Sequence, residues 1–197
     1  MASSSITFSQ YPAQTTIAQS ARINSGLRLQ LRIWLPALAC LMVFAVESTT
    51  YLGGDRTSEP LRRIAESIFG YDACVNWNSI HHIIRKVGHF IGYGSFALVC
   101  FRAFWMTSRN TISRLSRQLR AHGLAIFAVF LVAGADEIHQ SFLPNRFGQF
   151  SDVCLDTCGA VVFCFMLYLA MQAVEALRRL RGHSFSRHQP STAEASA

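Results

Sequence analysis

Charged residues are scarce in this chain of 197 residues, and only one of them is a lysine. Asp, Glu, Lys and Arg make up 15% of the sequence, whereas an ordinary soluble domain has about 25%. Hydrophobic residues make up 51%, and the mean hydropathy of +0.25 excludes a disordered or collagen-like chain. The length accommodates four spans of about 20 residues each with their loops. The composition therefore predicts a membrane protein and argues against a soluble enzyme.

Cysteines are also few, and their positions do not indicate a disulfide-rich secreted domain. Of the six in the chain, only Cys74 lies in a predicted loop. A thiol inside an apolar segment behaves as a small hydrophobic side chain. This interpretation applies to Cys40, Cys100, Cys154, Cys158 and Cys164. A disulfide framework is therefore not predicted.

Four apolar segments predict an all-α bundle of four transmembrane helices. They are residues 31–46, 87–106, 124–142 and 153–177. The first is the shortest and follows Arg28 and Arg32, so a cleaved signal peptide is the alternative interpretation there. Residues 1–26 contain no acidic residue and no apolar stripe, which predicts a disordered cytoplasmic tail. The four-helix domain is predicted at residues 27–180, followed by a second disordered tail at 181–197.

The basic residues predict the orientation of these spans, because cytoplasmic loops retain Arg and Lys. If both termini are cytoplasmic, twelve of the eighteen basic residues lie on the inner side. Trp34 and Trp105 then fall at the inner ends of their spans, where an indole ring is favoured. This distribution accounts for the net charge of +7, so no nucleic-acid partner is predicted.

The first outer connection contains a further helical pattern. Leu61, Ile64 and Ile68 recur at spacings of three and four residues, and Gly70 ends the pattern. This predicts a short amphipathic helix that lies on the outer membrane surface or caps the bundle. The helix of the second span is predicted to begin outside the bilayer, near Asn78.

Ionisable residues inside the spans form the candidate site. Each costs about 2.5–3.5 kcal/mol at the centre of a bilayer, so each needs a partner. Opposite charges keep carboxylates ionised where desolvation alone favours the protonated form, and all of these groups lie towards the outer ends of their helices. The sequence therefore predicts a single polar pocket that faces outwards. Its predicted binding residues are Arg85, Lys86, His89, Tyr93, Asp136, Glu137, Gln140, Arg146, Asp152 and Asp156.

Other polar and small residues in the spans receive simpler interpretations. The possible metal ligands His89, Glu137, His139 and Asp152 follow no recognised spacing, so no metal and no other cofactor is predicted. His81 and His82 are assigned to the membrane interface without a function. Small residues commonly line membrane helix interfaces, and close helix packing is therefore predicted at Gly88, Gly92, Gly94 and Gly159.

The polar residues and their spacing resemble the VanZ-like family of bacterial membrane proteins over about residues 80–169. The matching residues are Lys86 with His89, Phe90 and Tyr93, then Asp136-Glu137-Ile138-His139-Gln140, then Pro144-Asn145-Arg146, then Asp152 with Gly159. Asp156 departs from the pattern, because many members have Asn there. The resemblance implies a multi-pass protein of the bacterial inner membrane and no established reaction. The namesake is linked to low-level resistance to the glycopeptide teicoplanin.

Three interpretations of the pocket remain open. The favoured one is a binding site for an anionic or amphiphilic ligand, such as a lipid-linked wall precursor, a phospholipid head group or a glycopeptide, in which Arg85 and Arg146 bind phosphate or carboxylate. The second is an enzyme, with Glu137 or Asp136 as general base and His89 as acid or base. The third is a structural ion-pair network. The sequence predicts contact with membrane lipids and does not indicate an oligomeric state.

The predicted topology can be tested by cysteine labelling in a variant without native cysteines. A membrane-impermeant reagent should label Asn145→Cys in intact cells and leave Leu115→Cys unlabelled, because the positive-inside rule places residue 115 in the cytoplasm. Labelling at residue 115 without labelling at residue 145 would refute the orientation.

Overall fold

The computed structural model describes residues 11–49, 54–108, 113–143 and 148–187, and gives side chains outside 11–25, 54–56 and 182–187. Within these ranges the chain forms five α-helices, one short 3-10 helix and no strand. The helices are α1 Tyr11–Glu47, α2 Gly54–Phe69, α3 Trp77–Thr107, α4 Arg114–Ser141 and α5 Phe150–Arg187, and the 3-10 helix is Tyr71–Cys74.

Four of these helices are long and apolar enough to span a membrane, as the sequence predicts. The spanning parts are Gly26–Glu47, Trp77–Thr107, Arg114–Ser141 and Phe150–Arg181. Each spanning part is longer than the apolar segment that predicted it. A helix continues until its backbone hydrogen bonding is interrupted, whereas the apolar segment marks only the part in contact with hydrocarbon. The 31 residues of α3 correspond to about 46 Å, which is longer than the hydrocarbon core of about 30 Å. Its start at Trp77 lies next to the predicted start near Asn78.

The terminal helices extend into both segments for which the sequence predicts disorder. α1 begins at Tyr11 and α5 ends at Arg187, while residues 1–10 and 188–197 lie outside the described residues. Ala and Gln, which recur through the first turns of α1, are good helix formers, and Pro12 lies in the first turn, where it is tolerated. The absence of an apolar stripe therefore did not prevent a helix in this segment.

The bundle is built around α3, which packs against α5, α4 and α1. α4 and α5 also pack against each other, whereas α1 makes substantial contact only with α3. The fully buried positions between the helices are mainly alanines, which allow backbones to approach closely. They include Ala97, Ala103, Ala125, Ala133 and Ala160. Large apolar side chains such as Phe127, Leu131 and Phe165 face outwards, as expected for contact with lipid.

Close packing between α3 and α5 depends on two of the predicted glycines. A Cβ at Gly159 would collide with the backbone carbonyl of Phe90, and a Cβ at Gly94 would lie 2.6 Å from the ring of Phe163. The packing interpretation does not hold for Gly88, because a Cβ there would have no neighbour within 4 Å. Gly88 faces a groove, which sequence spacing alone cannot distinguish from a helix contact.

The predicted amphipathic helix is α2, and it ends as expected before Gly70, which has a φ of 86°. A hydrogen bond of 2.8 Å from Trp77 Nε1 to Ser58 Oγ attaches it to the start of α3. Two of its apolar residues face away from the bundle, since Ile64 is 57% exposed and Ile68 is 66% exposed. Of the two predicted positions, this exposure favours the membrane surface over a cap on the bundle.

A fluorescent label can test whether α2 lies in the membrane interface. A bimane group on Ile68→Cys, in a cysteine-free variant reconstituted into vesicles, should emit at shorter wavelength and be quenched by brominated lipid. The control is Arg63→Cys, which lies on the polar face of α2 beside Glu59 and should remain in water. Equal quenching at both positions, or none at residue 68, would contradict the proposed position of α2.

Candidate functional site

The polar residues of three helices meet at one end of the bundle. α3 and α5 begin at this end, at Trp77 and Phe150, and α4 ends here, at Ser141. Because α4 runs opposite to the other two, its last two turns lie at the level of the first turns of α5 and of residues 82–89 in α3. We call this end of the bundle the site end.

A small cavity of about 40 Å³ lies between these three helices, and we call it the charged pocket. A volume of this size has room for a few water molecules or for one small polar group. Most of the lining side chains are ionisable, and they are His82, Arg85, Lys86, His89, Glu137, Gln140, Asp152, Leu155 and Asp156. Seven of the ten predicted binding residues therefore line this one cavity.

Two contacts between a basic and an acidic side chain join α3 to α5 inside the pocket. Lys86 Nζ lies 3.1 Å from Asp152 Oδ1, and both side chains are about one third exposed. His89 Nδ1 lies 3.5 Å from Asp156 Oδ2. The two carboxylates are four residues apart and the two basic groups three, so both pairs lie along one face of each helix. The second pair is the deeper one, since Asp156 is only 2% exposed.

One carboxylate oxygen of this deeper pair has no partner in the described part of the chain. Asp156 Oδ1 is buried and makes no hydrogen bond there. An unsatisfied buried acceptor costs about 1–3 kcal/mol, and more when it is charged. The pocket therefore contains an acceptor that a bound group with an N–H or O–H can satisfy.

The two acidic residues of α4 have different surroundings. Glu137 lines the charged pocket, and its Oε2 accepts a hydrogen bond of 2.8 Å from the backbone N–H of Gln149. Gly148 packs so tightly on the Glu137 carbonyl that a Cβ would collide with it. Glu137 thus also holds the chain just before α5.

Asp136 does not line the charged pocket. It accepts hydrogen bonds from Gln140 Nε2 at 3.0 Å and from the Tyr93 hydroxyl at 3.4 Å. The Tyr93 ring is buried and stacks on Phe44 of α1, with centroids 4.5 Å apart, and on His89 at 6.0 Å. Asp136 and Tyr93 therefore support the pocket from behind, in a small adjoining cavity of about 20 Å³ that also reaches Arg85 and His89.

Arg85 differs from the other cation of the pocket. Lys86 is paired with Asp152, whereas Arg85 is half-buried and forms no ion pair or hydrogen bond with the residues described. Arg146, the third predicted cation, lies outside the described residues. Arg85 is therefore the cation available to a ligand in the described part of the pocket.

Sequence reasoning missed one ionisable residue of the pocket. His82 lines the pocket, although the sequence analysis gave it no function; its spacing of four and seven residues from Lys86 and His89 was the available signal. His139 forms a hydrogen bond of 2.8 Å with Ser48, which directly follows α1, and it does not line the pocket. Within the described ranges, no three His, Cys, Asp or Glu side chains are placed to hold a metal ion.

A double-mutant cycle can measure how strongly the outer ion pair joins α3 to α5. We expect Lys86→Gln and Asp152→Asn each to lower the free energy of unfolding, with a coupling of about 1 kcal/mol or less because the pair is partly exposed. Reversible unfolding in mixed detergent is the measurement. The exposed Arg63 and Glu59 pair on α2 is the control and should show weaker coupling. Additive effects at residues 86 and 152 would show that this contact does not lock the helices.

Comparison with known proteins identifies the family of the chain. The VanZ/LLP1 family profile matches residues 6–172. No curated protein and no solved structure matches the chain significantly. The family match confirms the resemblance seen in the motifs and extends it to include α1 and α2. Because it covers most of the sequence, the chain belongs to the VanZ/LLP1 family.

Proposed function

We propose that the charged pocket binds the polar head of an anionic amphiphile at the outer face of the bacterial inner membrane. The main support for this proposal is that two polar groups without a described partner lie in the same cavity. Arg85 is a half-buried cation without a described partner, and Asp156 Oδ1 is a buried acceptor without one. A ligand that combines an anionic group with a hydroxyl or amine satisfies both.

Arg85 suits the anionic part of such a ligand. A guanidinium binds phosphate or carboxylate through two parallel hydrogen bonds, whereas an ammonium acts as a point charge. Lys86 is already engaged by Asp152, so its main role is to place the carboxylate and hold α5. The hydroxyl or amine of the ligand then donates to Asp156, whose other oxygen faces His89.

A purely structural role explains fewer of the polar groups in the charged pocket than a ligand site does. The pair between Lys86 and Asp152 and the close contact at Gly159 are sufficient to hold α3 against α5. Buried ionic groups can be kept for specificity of packing, but an unpaired arginine and an unpaired carboxylate oxygen add nothing to that packing. We therefore favour the ligand site over the structural network.

The side of the membrane that the site end faces determines which ligands can reach the charged pocket. The distribution of basic residues supports a topology in which both termini are cytoplasmic and the site end faces outwards. Lipid-linked wall precursors, phospholipids and glycopeptides are accessible from that side. Capture of one of these molecules at the outer leaflet is the proposed basis of a link to teicoplanin resistance.

Arg85→Lys tests the ligand site because it retains the charge and removes the planar fork. We expect glycerol phosphate to bind the purified protein about tenfold more weakly, through loss of a bidentate hydrogen bond, with an unchanged melting temperature. Arg63→Lys is the matched control, since Arg63 is exposed on α2 and distant from the pocket. Isothermal calorimetry and a thermal melt provide the two readouts.

Glu137→Gln and Arg146→Lys extend the test to cells. Glu137→Gln retains an acceptor for the Gln149 N–H, so we expect normal accumulation and melting but loss of protection against teicoplanin in a strain that depends on this protein. If all three variants instead lost stability and activity in proportion, the pocket would be a structural network and the ligand site would be wrong.

A further inference from the structure

A second and larger cavity adjoins the charged pocket on its α1 side. It has a volume of about 400 Å³, within the range of roughly 300–1,000 Å³ typical of small-molecule sites. Gly88 and Gly92 of α3 form its floor, and Val43 and Phe44 of α1 form one wall. We call it the α1–α3 groove.

The groove exists because α3 carries two glycines at its floor and because the Phe44 ring on the α1 wall lies beside Gly92 and not over Gly88. A Cβ at Gly88 would meet no atom within 4 Å, and one at Gly92 would lie 3.6 Å from the Phe44 ring. Phe44 itself stacks on Tyr93 and so leaves the space above Gly88 open. α1 packs substantially only on α3, and Thr57 of α2 is the one described residue from outside these two helices that lines the groove.

Polarity changes along the groove from charged to apolar. Arg85 and His89 line both the groove and the charged pocket, so the two spaces meet at these residues. From Arg85 to Gly92, α3 advances about 10 Å towards the bilayer centre. A molecule that follows this path has its polar end at Arg85 and its apolar end beside Gly92, which is the arrangement of an amphiphile.

Charge distinguishes this groove from two others at the site end. A groove of about 450 Å³ between α1 and α4 has Asp136 at its polar end, and one of about 330 Å³ between α4 and α5 has Glu137. A carboxylate repels an anionic head group, whereas Arg85 attracts it. The exposed Glu47 also lines the α1–α3 groove, but it lies at the end of α1, where water is accessible.

We propose that the α1–α3 groove holds a hydrocarbon chain of a phosphate-bearing lipid whose head group enters the charged pocket. This inference rests on the proposed function, since the head group is bound by Arg85 and Asp156. The charged pocket is too small for a whole ligand, so most of the molecule must lie elsewhere. Gly88 is then a residue of the binding site, with its missing side chain making room for the chain.

Gly88→Leu tests the groove directly, because Gly88 lines it and a Cβ at this position would meet no atom within 4 Å. We expect at least about tenfold weaker binding of phosphatidylglycerol and of undecaprenyl phosphate, because chain burial is lost. Gly123→Leu is the matched control, since Gly123 on α4 is also exposed with nothing within 4 Å of a Cβ. Native mass spectrometry of delipidated protein measures each lipid separately, and stronger retention of one identifies the source of the chain.

Glycerol phosphate separates failure of this inference from failure of the proposed function. If Gly88→Leu loses the lipids but binds glycerol phosphate like the wild type, the groove is the chain site. If Gly88→Leu retains both lipids with unchanged affinity, the inference is wrong even though the head-group site stands. If the wild type binds neither glycerol phosphate nor lipid, both proposals are wrong.

A second variant keeps the test decisive if Gly88→Leu does not fold. Val43→Trp fills the groove from the α1 wall, where Val43 is 54% exposed. It should weaken binding of the two lipids and leave binding of glycerol phosphate unchanged. Unchanged lipid affinity in a folded Val43→Trp protein would equally exclude a chain in the groove.

Discussion

The close contact between α3 and α5 is the constraint on which the site depends. Gly159 lies against the backbone of Phe90, and Gly94 lies under the ring of Phe163. These contacts begin just beyond the pocket, since His89 directly precedes Phe90 and Asp156 is three residues before Gly159. With the two backbones held together there, Lys86 and His89 come within 3.1 Å and 3.5 Å of their carboxylates. Any larger residue at Gly159 would separate both pairs at once.

Ionisable groups at membrane depth need ion-pair or hydrogen-bond partners, and the fold supplies such partners to some of these groups but not to all. Lys86 and Asp152 form an ion pair with each other. Glu137 accepts a hydrogen bond from the backbone just before α5. Asp136 accepts hydrogen bonds from Tyr93 and Gln140. Unpaired charges in such a setting are expensive and commonly mark function. Among the described residues of the charged pocket, Arg85 and one oxygen of Asp156 remain without a partner, and the proposed ligand binds there.

The peripheral position of α1 links this site to the surrounding lipid. A helix that packs against one neighbour leaves open grooves on both of its sides, and α1 borders two of them. Only the groove against α3 combines an apolar floor with an unpaired cation. A lipid can enter it sideways from the membrane, so its chain never has to cross the polar pocket. In the proposed complex, the head group and the chain are bound by different physical interactions in adjoining spaces.

Composition and periodicity by themselves determined the four spans, the amphipathic α2 and the level at which the charged residues lie, because hydropathy and helix termination are local properties of the chain. They also predicted a common depth for Lys86, His89, Glu137 and Asp152, and all four side chains line the charged pocket. Tertiary structure alone decided which carboxylate meets which cation, that Asp136 and His139 turn away from the pocket, and that His82 lines it. It also gave Gly94 a packing contact and Gly88 an open groove. The physical reason is that these outcomes depend on how each helix is rotated about its axis and on its neighbour, and neither is encoded in local spacing.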